Sequence, residues 1–71
     1  MQPLSDTTAR ILRLPQVKTA TGLSRSSIYA KVKDGQFPRY ISLGARSVGW
    51  LESEIQAWID ERVKASRSMK G

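Results

Sequence analysis

The chain has 71 residues and contains neither cysteine nor histidine. Without cysteine there are no disulfides and no thiolate chemistry, and without either residue there are no Cys/His zinc sites and no imidazole acid/base catalysis. No apolar run approaches the roughly 20 residues of a membrane span. The opening MQPLSDTTAR lacks the apolar h-region of a signal peptide. A soluble, cytoplasmic protein is expected. Acidic residues are also missing from one long stretch. Between Thr7 and Lys33 there is no Asp or Glu, while Arg10, Arg13, Lys18, Arg25, Lys31 and Lys33 all fall there.

The net charge of +6 is therefore uneven, because Glu52, Glu54, Asp60 and Glu61 face only Arg62 in the segment from Glu52 to Val63. An acid-free basic surface attracts polyanions by Coulomb steering and counterion release, which makes nucleic acid the leading partner class. The competing reading of charge alone is a solvated face. A chain this short fits one small domain with a modest core, suited to a binding module rather than a large catalytic cleft. Glu52 and Glu54 are accompanied by no nucleophile or ligand set. Their place near a helix start suits the macrodipole. No enzyme, cofactor, metal or small-molecule ligand is expected.

Residues 1–9 are polar and aperiodic and read as a flexible tail. In 10–14, RILRL, the alternation has period two and suits a short strand. Pro15 suits the first turn of a helix and Gly22 its left-handed end, predicting a helix near Pro15 to Thr21 with Val17, Ala20 and Thr21 inward. Ser24 is a good N-cap for a second helix, with Leu23 and Ile28 placed as a hydrophobic staple. Asp34-Gly35 and Phe37-Pro38 end that helix. Two short helices separated by Gly-Leu-Ser have the layout of a helix-turn-helix.

Residues 39–50, RYISLGARSVGW, read as a hairpin around Gly44-Ala45-Arg46, with Ile41, Leu43, Val48 and Trp50 as its apolar face. Ser53 and Gln56 match a capping box for a last helix, whose stripe is Ile55, Trp58, Ile59, Arg62 and Val63. After Val63 the periodicity is lost, and 64–71 reads as a frayed basic tail. The domain is thus 10–63, mainly α with a small β-hairpin: a compact winged helix-turn-helix.

On the second helix, Ile28 and Val32 point inward and Ser26, Ser27 and Ala30 outward. Short hydroxyl and methyl side chains let a helix approach base edges, and an arginine at its start binds guanine or phosphate. Arg25, Ser26, Ser27 and Ala30 are the expected base readers, with Lys31 and Lys33 on phosphates. Ala30 either touches a thymine methyl or makes room. Ser24 is a cap whose helix end can also donate to phosphate. Tyr29 packs its ring and leaves its hydroxyl for water or phosphate. Arg46 at the hairpin tip is either a polar turn residue or a contact to backbone or minor groove. Trp50 and Trp58 fall on apolar stripes, favouring core over base stacking.

Four segments, RLPQV, TGLSRSSIYAKVKDGQFP, SLGARSVGW and SEIQAWI, together resemble the AlpA family of small phage- and prophage-associated regulators, related to MerR-like excisionases. The resemblance runs from about Arg13 to Arg62. It implies a winged helix-turn-helix (MerR/excisionase-like) DNA-binding domain that regulates transcription of integrase or other mobile-element genes, or acts as a recombination directionality factor. The reading helix would be Ser24 through Lys33 and the wing Gly44 through Ser47, which adds Ser47 to the backbone contacts. The expectation is sequence-specific, non-catalytic binding of double-stranded DNA by a nucleoid-associated monomer. Further copies on adjacent sites, or an integrase, would be its protein partners. The rivals are a non-catalytic adaptor for an integrase or polymerase and an RNA or single-strand binder.

Overall fold

The computed structural model describes residues 9–70, excluding the side chains of Met69 and Lys70. The expectation of a flexible tail over 1–9 thus lies, Ala9 apart, outside the described residues. The elements in chain order are β1 (Ile11–Leu12), α1 (Leu14–Thr21), α2 (Arg25–Lys33), β2 (Ile41–Gly44), β3 (Ser47–Leu51) and α3 (Glu52–Lys70). It is a mainly helical domain with a small antiparallel sheet in the order β1-β3-β2.

Local chemistry accounts for the helix ends. The Arg13 backbone N–H donates to Gln16 Oε1 at 2.8 Å, so α1 starts one residue before Pro15. Gly22, at φ 76°, ends it and donates its N–H to the Lys18 carbonyl. Ser24 caps α2 by accepting from the Ser27 N–H at 3.1 Å. The inward face expected of α1 is corrected at Ala20, which is exposed; in a helix of 8 residues the sheet contact is taken by Val17, fully buried, and by Leu14, half-buried.

The core gathers Leu12, Val17, Ile28, Phe37, Trp50 and Ile55. Trp50 is fully buried, and its ring meets Tyr29, Phe37 and Tyr40 edge-on at centroid distances of 6.2, 6.5 and 5.9 Å. Its indole N–H donates to the Pro38 carbonyl at 3.0 Å, and that of Trp58 donates to the Gln36 carbonyl at 2.8 Å. Both tryptophans pack with the core, Trp50 completely and Trp58 by about half.

Register corrects the expected hairpin. Ile41 pairs with Gly49 and Ser42 with Val48, while Ile11 pairs with Leu51 and Leu12 with Trp50. Cross-strand partners share a face, so Ile41 and Leu51 lie outside while Val48 and Trp50 lie inside. Ile41 and Leu43 are exposed, at 37% and 42%. The strand 10–14 is likewise shorter than expected, because Leu14 is already helical.

Helix α3 also departs from expectation. It starts at Glu52, whose backbone N–H donates to the Arg10 carbonyl at 2.8 Å, so Ser53 is inside the helix. Gln56 donates to Asp60 Oδ1 at 3.0 Å instead of closing a capping box. The helix does not fray after Val63 but continues to Lys70. Its stripe is buried at Ile55, half-buried at Trp58 and Ile59, and exposed at Arg62 and Val63.

Gly49 lies where β1 and β2 close over β3. A Cβ there would stand 2.4 Å from Ile11 Cγ2, 3.1 Å from the Leu12 carbonyl oxygen and 3.1 Å from Leu43 Cδ1. The methyl on a β-branched side chain and the backbone oxygen have little room to yield. Gly49→Ala should therefore destabilise the fold by about 1–3 kcal/mol, read as a lower urea midpoint with unchanged slope.

Candidate nucleic-acid interface

Helix α2 rests on the core through Ile28, which is fully buried, and this sets the direction of every other side chain on it. At 100° per residue, Arg25 and Tyr29 flank Ile28 on one side and Ser27 and Lys31 on the other, with Ser26, Ala30 and Lys33 opposite. Exposure follows that wheel: Ser24, Arg25, Ser26, Ala30 and Lys33 are exposed, whereas Ser27, Tyr29 and Lys31 are half-buried.

The two flanks have different neighbours. The Arg25 guanidinium lies over the Tyr29 ring at 5.4 Å, and Tyr29 meets Tyr40 edge-on at 5.9 Å. A cation over a ring is restrained by attraction to its electron-rich face, worth about 0.5–1 kcal/mol at an exposed site. Arg25 is thus held near the helix start rather than swinging freely. On the other flank Lys31 lines a shallow groove with Thr21, Leu23, Trp58 and Arg62 and no acidic side chain. Its stem is packed there, which leaves its ammonium less reach than that of Lys33.

Hydrogen bonding separates the serines. The Ser24 hydroxyl accepts from the Ser27 N–H and donates to Ser27 Oγ, both at 3.1 Å. Ser27 is therefore partly engaged within the helix, whereas Ser26 has an exposed hydroxyl. The first-turn amides of Arg25 and Ser26 open outward at the positive end of the helix dipole.

At the hairpin tip Arg46 is exposed, with φ 59°, and Ser47 is half-buried. This tip belongs to a different element from α2, and both are fixed on the Trp50 core. Among the described residues the one ion pair is Arg10–Glu52 at 3.6 Å, so Arg25, Lys31, Lys33 and Arg46 are in none.

Two residues given no role in the sequence reading contact these elements. Arg13 donates from Nε to the Val48 carbonyl at 3.0 Å, tying the start of α1 to β3. Tyr40 is exposed yet touches Tyr29 and Trp50. The alternation of Tyr40 with Ile41 is the only signal for it, and it becomes readable once Ile41 is known to face outward. The described residues include no group of His, Cys, Asp or Glu able to hold a metal, and no helix long and apolar enough to cross a membrane.

The chain is similar to known proteins over most of its length. The model of the family described as "Prophage CP4-57 regulatory protein (AlpA)" matches residues 10–63. The uncharacterized protein ORF88 of Enterobacteria phage P4 is 47% identical over 64 residues, spanning 89% of this chain and 73% of that protein. The DNA-binding transcriptional activator AlpA of Escherichia coli (strain K12) is 44% identical over 61 residues, 78% of this chain and 87% of its own. The match spans β1 through most of α3, and with it the whole of α2 and the hairpin: the chain belongs to the AlpA family of prophage regulatory proteins.

Proposed function

We propose that the chain is a winged helix-turn-helix protein that binds double-stranded DNA sequence-specifically and regulates transcription of prophage genes, without catalysis. The observation that carries this reading is the outer face of α2. Arg25, Ser26, Ala30 and Lys33 are exposed together on a helix anchored by a fully buried Ile28, and neither Arg25 nor Lys33 is in an ion pair, Asp34 at the far end of the helix being the one acid beside them. The activator from E. coli, alike over most of the chain, supports the same reading. So does the placing of every acid except Asp34 among the described residues on α3.

In this reading α2 enters the major groove. Ser26 and Ala30 are short enough to let the helix backbone approach base edges, and Arg25, restrained by Tyr29, reaches guanine N7 and O6 from the helix start. Ser27 supports this set through its remaining donor. Lys33, Lys31, Tyr29 and the Ser24 end of the helix contact phosphate. The β2–β3 hairpin is the wing, with Arg46 and Ser47 on the flanking backbone. The left-handed conformation of Arg46 favours that role, because hairpin turns of this kind normally place Gly or Asn at positive φ. A long cation held in a costly conformation is explained by what it touches.

With about four to six phosphate contacts, log K against log salt for duplex DNA should fall with a slope near −4 to −5. Binding that ignores salt would overturn the reading. Arg25→Ala should cost about 1–3 kcal/mol and relax sequence preference, whereas Lys33→Ala should weaken all sequences alike and flatten the slope by about one. A binding-site selection on each variant checks the division. Arg46→Gly should raise stability by about 0.5–1 kcal/mol through relief of the left-handed turn, while weakening DNA binding with no change in preferred sequence. Thermal melting and a salt titration of the same variant test both halves.

A further inference from the structure

Helix α3 leaves the body of the domain beyond Val63, which with Arg62 is the last to line a groove with Thr21, Leu23 and Lys31. Every described side chain from Asp60 to Ser68 is exposed, Val63 at 42%. A helical segment of this length is marginal in water when no apolar face is packed. From Arg62 onward it contains no acid and carries Arg62, Lys64, Arg67 and Lys70.

A second feature lies at the other half of the same helix. An open groove runs between α3 and the connector from α2 to β2, with Phe37, Pro38, Leu51 and Trp58 among its lining. Glu54 and Glu61 stand on its α3 side and Arg39 on the other, and among the described residues neither glutamate is in an ion pair. Two carboxylates beside an apolar floor repel a phosphate backbone, so nucleic acid is a poor occupant. A basic segment with an apolar side chain fits it, and the extension of α3 is such a segment.

We propose that the acidic groove of one copy receives the basic α3 extension, through Lys64 and Arg67 with Val63, of a second copy bound beside it on DNA. The proposal rests on the DNA-binding reading above. The two patches differ and share only Glu61, which lines the groove and also borders Lys64 and Arg67, so the contact is head-to-tail and can repeat along a duplex. Exposed ion pairs are individually weak, which suits a contact absent between free monomers. Binding at neighbouring sites supplies the effective concentration that makes it count.

The test compares two mixed-sequence duplexes, one of about one and a half helical turns that holds a single copy and one of about six turns that holds several. The full chain should bind the longer duplex cooperatively, with the second copy about tenfold tighter than the first. Lys64→Glu with Arg67→Glu, or Glu54→Lys with Glu61→Lys, should abolish that cooperativity. All four together, which restore the net charge, should recover it. These positions are exposed, and circular dichroism checks that the helix persists. Loss of binding to the short duplex on reversal of Lys64 and Arg67, with cooperativity kept, would assign the extension to DNA and overturn the proposal. Failure of the fourfold reversal to restore cooperativity would overturn it as well. A native chain that binds neither duplex would instead defeat the DNA-binding reading itself.

Discussion

The fold depends on one buried indole. Trp50 stands on β3, the central strand, and touches rings from α2 and from the connector that follows it. An aromatic of this size brings a large apolar area into a core that has few other sources of it. Its N–H has to find an acceptor once buried, and the Pro38 carbonyl supplies it. Trp58 does the same at Gln36 from α3. The connector between α2 and β2 has no helix or strand of its own over 34–40, yet two indoles hold it at the carbonyls of Gln36 and Pro38. The relation between α2 and the hairpin is thus set by side chains rather than by a ladder or a helix. In the proposed reading α2 and the hairpin act on one duplex, which needs that relation to be rigid.

What could be read along the chain divides by range. Gly22, Ser24 and Asp34-Gly35 mark helix ends by chemistry that acts within a few residues, and the observed α2 agrees with them closely. Pairing acts across the chain and left weaker marks. The hairpin was legible, but its register was not, because Ile41 and Leu43 alternate equally well whichever face they take. Gly49 was the available clue: a residue without a side chain in an otherwise apolar strand marks a close approach, here by Ile11 and Leu43. In α3 the loss of periodicity after Val63 signalled the end of burial, not of the helix. No glycine or proline interrupts the chain from Glu52 to Lys70, so nothing breaks it.

The same division holds for the candidate interface. That α2 would present Ser26 and Ala30 outward followed from the position of Ile28, whereas Ser27, expected beside them, is half-buried. The partial withdrawal of Lys31 and the Arg25–Tyr29 pairing depended on neighbours from α3 and from the connector. Ser27 was legible as part of the helix but not as the partner of its own cap. Tyr40 was hidden by the register ambiguity that also hid the exposed face of β2.

Charge segregation gives the small domain a direction. Arg10 and Glu52 form the one ion pair among the described residues, at the point where β1 meets the start of α3. At 67% and 43% side-chain exposure it is too open to add much stability, and the nearby bond from the Glu52 N–H to the Arg10 carbonyl does more to join the two elements. The remaining acids on α3 stay separate from the cations of α2. A molecule polarised in this way meets a polyanion basic face first, because the field acts before any side chain touches. In the proposed reading orientation is then selected by charge, while sequence is left to the few short side chains at the start of α2. Those tasks need different residues, and the burial of Ile28 keeps them on one helix without mixing them.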